Sequence, residues 1–342
     1  MTSATMEVEL QQQARACELM GSPFVATFLR SARDDYLGGS RVRDLLDARS
    51  TYSRPGLRLS GSFHYLALAG EPTLGRHYPS VGGDGDARRA WYAASAILDR
   101  DSELVERLFC ENIQTNESLR SMPILGAFLY LAGTFALPFR IFEIGASAGL
   151  NSRFDRFRYV GDDWQWGNAD SPLVLQNRTI AGRPANTDAS IRIVERHACD
   201  AHPIDVGDMR AVRRLQSFVW PDQVERLHRL QAALAVATDL PVKVEREGFA
   251  TWLPREARPQ NGSVAVVLQS IVEEHLPPAQ RDELHATIDR IGQTASSKAP
   301  FAYVRMEQEG AAYDTTVRTW PSQDTLVICR SDGHAQDIRW MQ

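Results

Sequence analysis

The spacing of apolar residues changes character near Leu137. Before that point they recur mainly at helical intervals. Met6 to about Ser31 places Cys17, Met20, Phe24, Phe28 and Leu29 close to helical spacing and predicts a helix. Val42–Ala48, Arg58–Ala69 (RLSGSFHYLALA), Ala87–Leu98 and Ser102–Glu111 predict further helices. Asp99, Asp101 and Ser102 suit a cap between the last two, and Leu104, Val105, Leu108 and Phe109 form an apolar stripe on the second. The glycine-rich stretch Ser80–Asp86 (SVGGDGD) reads as a loop.

After Leu137, short apolar runs alternate with helical patterns. Phe139–Ile144 (FRIFEI) ends at Gly145 and predicts a buried strand, with a helix over Ala148–Arg158. Further strands are expected at Ile191–Arg196, Val242–Glu245, Val264–Gln269, Phe301–Met306, Thr325–Cys329 and Asp337–Trp340. Met209–Val219, Pro221–Ala237 and Pro278–Gly292 predict intervening helices. This alternation argues for a doubly wound, mainly parallel sheet. The last two strands are joined only by Arg330–Gln336, so they read as a hairpin. The expectation is a seven-stranded, Rossmann-like α/β sheet ending in an antiparallel pair. Residues 1–120 read as a helical N-terminal region and 121–342 as the α/β domain. A small hairpin insertion is expected near 161–188, where Trp164, Trp166, Pro172 and Val174 stand among turn residues.

Composition narrows the function classes. The formal charge is −5, with 43% hydrophobic and 24% charged residues, which excludes a disordered chain, a collagen-like fibre and a coiled-coil rod. Nucleic-acid binding driven by bulk charge is not indicated. Cys17, Cys110, Cys199 and Cys329 are scattered without metal or redox spacing, which fits a reducing cytoplasm. The start lacks the basic and apolar segments of a secretory signal. Ser121–Phe139 carries no charge and approaches the length of a membrane span, but Pro123 and Pro138 interrupt it. It reads as a buried helix leading into a buried strand, so a cytoplasmic protein without a membrane partner is expected.

The strongest chemical signal is Phe142–Asn151 (FEIGASAGLN), where Glu143 closes a strand and Gly145 and Gly149 follow in the turn. Glycine permits positive φ and lets a ligand lie against the backbone, and a following helix would offer unpaired N–H groups. The E-x-G-x-x-x-G pattern resembles the first motif of class I S-adenosylmethionine-dependent methyltransferases, E/D-x-G-x-G-x-G. Ser147 replaces the central glycine. The dinucleotide fingerprint, G-x-G-x-x-G, is absent. The methyltransferase likeness implies that Glu143, Gly145, Ala146, Ser147 and Gly149 cradle the amino-acid end of S-adenosylmethionine. It also implies a ribose-binding acid after the second strand, for which Asp200 in IRIVERHACD is the choice.

The segments LSGSFHYLALAGE, HYPS, QTNESLRS, FEIGASAGLN, CDAHPID, VWPDQVERLHRLQAAL and WPS, in this order, resemble a bacterial family catalogued as domain of unknown function 2332. That resemblance covers nearly the whole chain and implies a methyltransferase-like fold. Asn116 and Glu117 (in QTNE) are candidates for a segment closing over cofactor or substrate, and a helix cap is the bland alternative. Gln269 and Ser270 end the fourth strand, where parallel sheets collect substrate groups. His275, Glu307 and Glu309 are candidate proton acceptors. Glu247 is a candidate adenine contact, while His64 and Tyr65 read as packed core. No nucleophile elbow, phosphate loop or metal-ligand spacing is found. The leading expectation is methyl transfer from S-adenosylmethionine to a small-molecule acceptor. The alternatives are a non-catalytic metabolite-binding module and a nicotinamide-dependent oxidoreductase.

Overall fold

A computed structural model describes residues 3–341. The chain forms two compact units: residues up to Thr115 together with Gly207–His228, and Asn116–Val206 together with Arg229 onward.

The first unit is helical. Its longer helices are Ser3–Leu19, Pro23–Gly38, Pro55–Leu68 and Ala87–Arg100, with shorter ones at Arg41–Ala48, Pro72–Gly75, Ser102–Cys110 and Met209–Ser217. The single helix expected over Met6 to Ser31 is two. Gly21 turns at φ +80, and Ser22 caps the second helix, accepting from Val25 N with Pro23 in its first turn. Serine followed by proline is the chemistry of a helix start. The core is an aromatic cluster in which Trp91 lies edge-on to Phe28 (5.2 Å) and Phe63 (6.3 Å), with Phe24 against Tyr78 (5.1 Å). His64 is buried between Ser217 O (3.1 Å) and Ser80 Oγ (2.8 Å), and burial lowers its pKa to about 4. It is a neutral core histidine.

Among the described residues, the second unit holds twelve strands in two sheets. In chain order these are β1 (Phe139–Ile144), β2 (Arg158–Val160), β3 (Gln165–Gly167), β4 (Val174–Gln176), β5 (Arg178–Ala181), β6 (Ile193–Asp200), β7 (Val244–Arg246), β8 (Val264–Ser270), β9 (Phe301–Glu309), β10 (Ala312–Trp320), β11 (Thr325–Ser331) and β12 (Asp337–Trp340). The large sheet runs β5-β12-β11-β10-β9-β8-β1-β6-β7. Its β7-β6-β1-β8-β9 part is parallel throughout. β9 to β12 form an antiparallel meander, and β5 joins β12 in parallel. β2, β3 and β4 make a separate three-stranded sheet in the insertion. The α/β class therefore stands, but the seven-stranded methyltransferase-type sheet does not: the large sheet is mixed and has nine strands. Its antiparallel part is a run of three strands after β9 rather than one terminal pair.

Both faces of the sheet are covered, as parallel strands require. Phe139 meets Phe128 of helix Ser121–Thr134 on one face (5.4 Å), and Phe142 meets Trp252 of helix Phe249–Glu256 on the other (6.3 Å). Helix Ser121–Thr134 is apolar nearly all round and correspondingly buried. It approaches the sheet closely because Gly126 lacks a side chain; a Cβ there would lie 2.3 Å from Trp340 Cζ3. Gly126→Ala is expected to lower stability by about 1–3 kcal/mol through overpacking, seen as a shift in the urea midpoint. An unchanged midpoint would show that Trp340 moves aside freely.

Candidate functional site

The strand register brings the sequence candidates to one edge. Glu143 lies opposite both Ala198 and Leu268, Ile144 opposite Cys199, and Ser270 opposite Met306. The turn after β1, Asp200, Ser270 and Glu307 thus share the carboxyl edge of the parallel strands. Strand order reverses here: β6 and β7 lie to one side of β1, β8 and β9 to the other. Such switch points are where open α/β sheets bind ligands. The meander adds another loop to this edge. β10 runs back from it and β11 returns to it, which brings residues 332–336 there.

The turn alternates left-handed residues: Gly145 at φ +61, Ser147 at +54 and Gly149 at +65. A Cβ at Gly145 would sit 2.6 Å from Val272 Cγ2, so space as well as conformation requires glycine. Serine at positive φ is uncommon and is held by its surroundings. Ser147 N donates to Asp200 Oδ2 (2.8 Å), Ser147 O accepts from Ile204 N (3.1 Å), and Ala146 N donates to Cys199 O (3.1 Å). Asp200 Oδ1 accepts from His202 N (2.7 Å), so both carboxylate oxygens bind backbone. Glu143 is buried and accepts from Ser152 N (3.0 Å). Burial pushes its carboxyl up to about 7, against the lowering influence of that N–H and of Arg153.

The helix expected over Ala148–Arg158 is absent. Asn151–Arg156 forms a 3-10 segment, and the chain then enters β2. Leu150, Phe154 and Phe157 imitate a helical stripe, but Arg153 lies fully buried among them, donating to Leu240 O (2.8 Å) and to Gly149 O. The 3-10 segment gives Nε and Nη1 of that guanidinium carbonyl partners, while Nη2 is buried without one. Among the described residues no α-helix starts at the turn; the 3-10 segment supplies Ser152 N, which goes to Glu143.

Asn116 Nδ2 donates to Ala146 O (3.4 Å), which ties the segment before helix Ser121–Thr134 to the turn. Asn116 Oδ1 is buried and has no hydrogen-bond partner. Glu117, also buried, accepts from Leu119 N (3.2 Å) and pairs its other oxygen with His334 Nδ1 (3.3 Å). Sequence reasoning missed His334, which lies 217 positions from its partner in a run read only as a hairpin turn. Its loop is firmly built. Asp332 accepts from His334 N (2.7 Å) and Asp337 N (2.7 Å), and Gly333 O accepts from Arg120 Nε (3.0 Å).

Three of the other candidates, Gln269, Glu307 and Glu309, belong to one side-chain network. Gln269 is fully buried; its amide accepts from Tyr303 Oη (2.7 Å) and donates to Glu273 (2.9 Å) and Glu307 (2.8 Å). Glu307 Oε1 also receives Val272 N (2.7 Å) and Glu273 N (3.3 Å), fastening the turn in which Ile271 has φ 57. Burial raises the Glu307 pKa. Arg305 forks onto Glu273 (2.7 and 2.8 Å) and reaches Glu309 (2.9 Å). Burial would raise the Glu273 carboxyl, but Arg305 and His285 outweigh it and hold the group down to about 2. Ser270 is half-buried at the end of β8. His275 is exposed and pairs with Glu274 (3.3 Å), while Glu247 pairs with Arg255 (2.9 Å).

A cavity of about 700 Å³ lies apart from this edge, on the insertion, lined by Arg158, Gln165, Trp166 and Asp188 among others. No buried charge converges on it. Among the described residues, no group of three or more His, Cys, Asp and Glu is placed to hold a metal ion. No helix there is long and apolar enough to cross a membrane.

Fold and edge together define an α/β protein with a large mixed sheet and a built acidic turn at its switch point. The chain belongs to the family described as "Uncharacterized protein conserved in bacteria (DUF2332)", whose model matches residues 7–340. No curated protein and no solved structure matches it.

Proposed function

We propose that the carboxyl edge around the Gly145–Gly149 turn binds S-adenosylmethionine and that the protein transfers its methyl group to a small-molecule acceptor. The observation that carries this reading is Asn116 Oδ1, an acceptor buried without a partner beside the turn at the switch point. A buried unpaired acceptor is costly, and the ammonium of an amino-acid ligand would satisfy it. Bound there, the cofactor supplies an electrophilic methyl carbon.

Asn116 and the turn orient the donor, so much of the rate comes from alignment. Glu117 holds the His334 ring through Nδ1 and leaves Nε2 to take the proton that the acceptor loses. Three strand spacings, about 14 Å, separate the ends of β8 and β11, which is room for a small acceptor. A second reading is favoured by Asp200. Each of its oxygens already accepts a backbone N–H, so Asp200 serves first to hold the turn, and a binding module without turnover is compatible with a turn built this way.

Calorimetric titration with S-adenosylmethionine and its demethylated product tests the proposal. Binding in the micromolar range is expected, with Asn116→Ala weakening it about tenfold, or ~1.4 kcal/mol. No heat at millimolar ligand removes the cofactor from the model. Binding without turnover across an acceptor screen supports the second reading.

A further inference from the structure

We propose that the helical unit carries a binding site for a phosphorylated small molecule with a planar body, of the nucleoside monophosphate class. The site is a groove of about 360 Å³ between helix Ala87–Arg100 and the segment Pro72–His77. Arg76, Arg89 and Arg100 line it together with His77 and Thr73, and no carboxylate belongs to the lining. Three guanidinium groups gather around one small cavity, with Glu71, Asp84 and Asp86 on its rim as partners of Arg100, His77 and Arg89.

The helix supplies one wall through its spacing. Arg89, Tyr92, Ala93, Ala96 and Arg100 recur at intervals of three and four, so they form one stripe. The two alanines make the floor shallow and apolar, and Tyr92, 69% exposed, leaves its ring available to stack. The opposite wall is fixed by the glycine-rich loop that the sequence singles out. Gly83 N donates to Tyr78 O (2.9 Å), Asp84 N to Arg76 O (2.8 Å) and Gly85 N to His77 O (3.2 Å). A Cβ at Gly83 would lie 2.5 Å from Tyr78 N, so only glycine lets the loop grip Arg76 and His77 this closely.

One of the three guanidinium groups is unengaged and the other two are weakly held. Arg76 has no ion-pair partner among the described residues. Arg89 and Arg100 meet Asp86 and Glu71 only at 3.3 and 3.5 Å, with exposed arginine side chains, and such pairs hold weakly. His77 pairs with Asp84 at 2.9 Å. Guanidinium forks match phosphate geometry and charge better than they match a single carboxylate. The volume lies at the small end of ligand sites, which suits a monophosphate rather than a polymer.

Calorimetric titration of the full chain with AMP, adenosine and inorganic phosphate tests this. AMP is expected to bind at least about tenfold tighter than phosphate, adenosine to bind weakly or not at all, and the affinity to fall with salt. Arg76→Ala, an exposed change that leaves the fold intact, should weaken AMP at least about tenfold. Tyr92→Ala should bring AMP down toward phosphate. The proposal is overturned if AMP gives no heat at millimolar concentration. It is equally overturned if Arg76→Ala binds AMP as tightly as the parent, which would place the nucleotide elsewhere. The result does not depend on S-adenosylmethionine, because no residue of the carboxyl edge is altered.

Discussion

Glu143→Gln is expected to flatten the loss of stability that the protein suffers between about pH 4.5 and pH 7. Burial raises this carboxyl from its ordinary 4.5 to about 7 in the folded chain. The folded state therefore holds the proton more tightly than the unfolded state. Its contribution is fully present below pH 4.5 and is lost as the pH rises through 7. Above that the fold carries a buried ionised group. A shift of this size is worth about 3 kcal/mol between pH 4.5 and 8. Glutamine keeps an oxygen for Ser152 N but does not titrate. Urea unfolding of both proteins at pH 5 and pH 8 reads the difference directly. Equal pH dependence in the two would mean that Glu143 ionises as freely in the fold as in water. If the turn holds S-adenosylmethionine, the same carboxyl also sits next to a cationic ligand. Affinity should then rise with pH through 7 in the parent and stay level in the variant.

The second large effect is expected at Arg305. Replacing it with methionine leaves Glu273 without its forked partner in a region already holding buried Glu307 and Gln269. Removing one member of a buried pair typically costs about 3–5 kcal/mol, because the remaining charge stays desolvated. The pH signature is opposite to that of Glu143. The lowered Glu273 pKa gives stability that is present above pH 4.5 and lost as the pH falls toward 2. Arg305→Met should reduce that acid-side dependence, leaving only the part due to His285, and adding Glu273→Gln should recover part of the neutral-pH loss. Chemical unfolding of the single and double variants at pH 3 and pH 7 measures both. A loss under about 1 kcal/mol at pH 7 would show the pair to be solvated like a surface bridge.

Much of the frame was legible because the physics that builds it is local. FRIFEI can hardly be other than a buried strand, and a glycine pair at its end must turn. The register then follows from apolar runs that share one edge. Helix Pro278–Gly292 matches its expected bounds for the same reason. β10 was not legible because its buried positions are partly polar. Asp314, Thr315 and Thr319 lie inside with Val317 and Trp320, so hydropathy shows no alternation. Its partners, such as Arg330 for Asp314 (3.0 Å), come from a different strand. The 3-10 segment at Asn151–Arg156 was misread because an apolar stripe says nothing of a buried arginine seeking carbonyls from Leu240. The candidate site divides the same way. The turn was visible as glycine spacing, whereas Glu117 meets His334 only because the meander folds back to the same edge.

The pairing of β5 with β12 has a consequence for how the chain is made. Arg178 and its ion-pair partner Asp337 are 159 positions apart. A strand of the insertion thus waits with its hydrogen-bonding edge open until nearly the whole second unit has emerged from the ribosome. Contacts of such separation form slowly, since the loop must close before they reward it. An open edge during that interval is a template for other chains. Once β5 adds to β12, the last strand of the meander is capped. The four-residue strand β5 then becomes the sheet's border, so the edge the finished fold presents on this side is a short one.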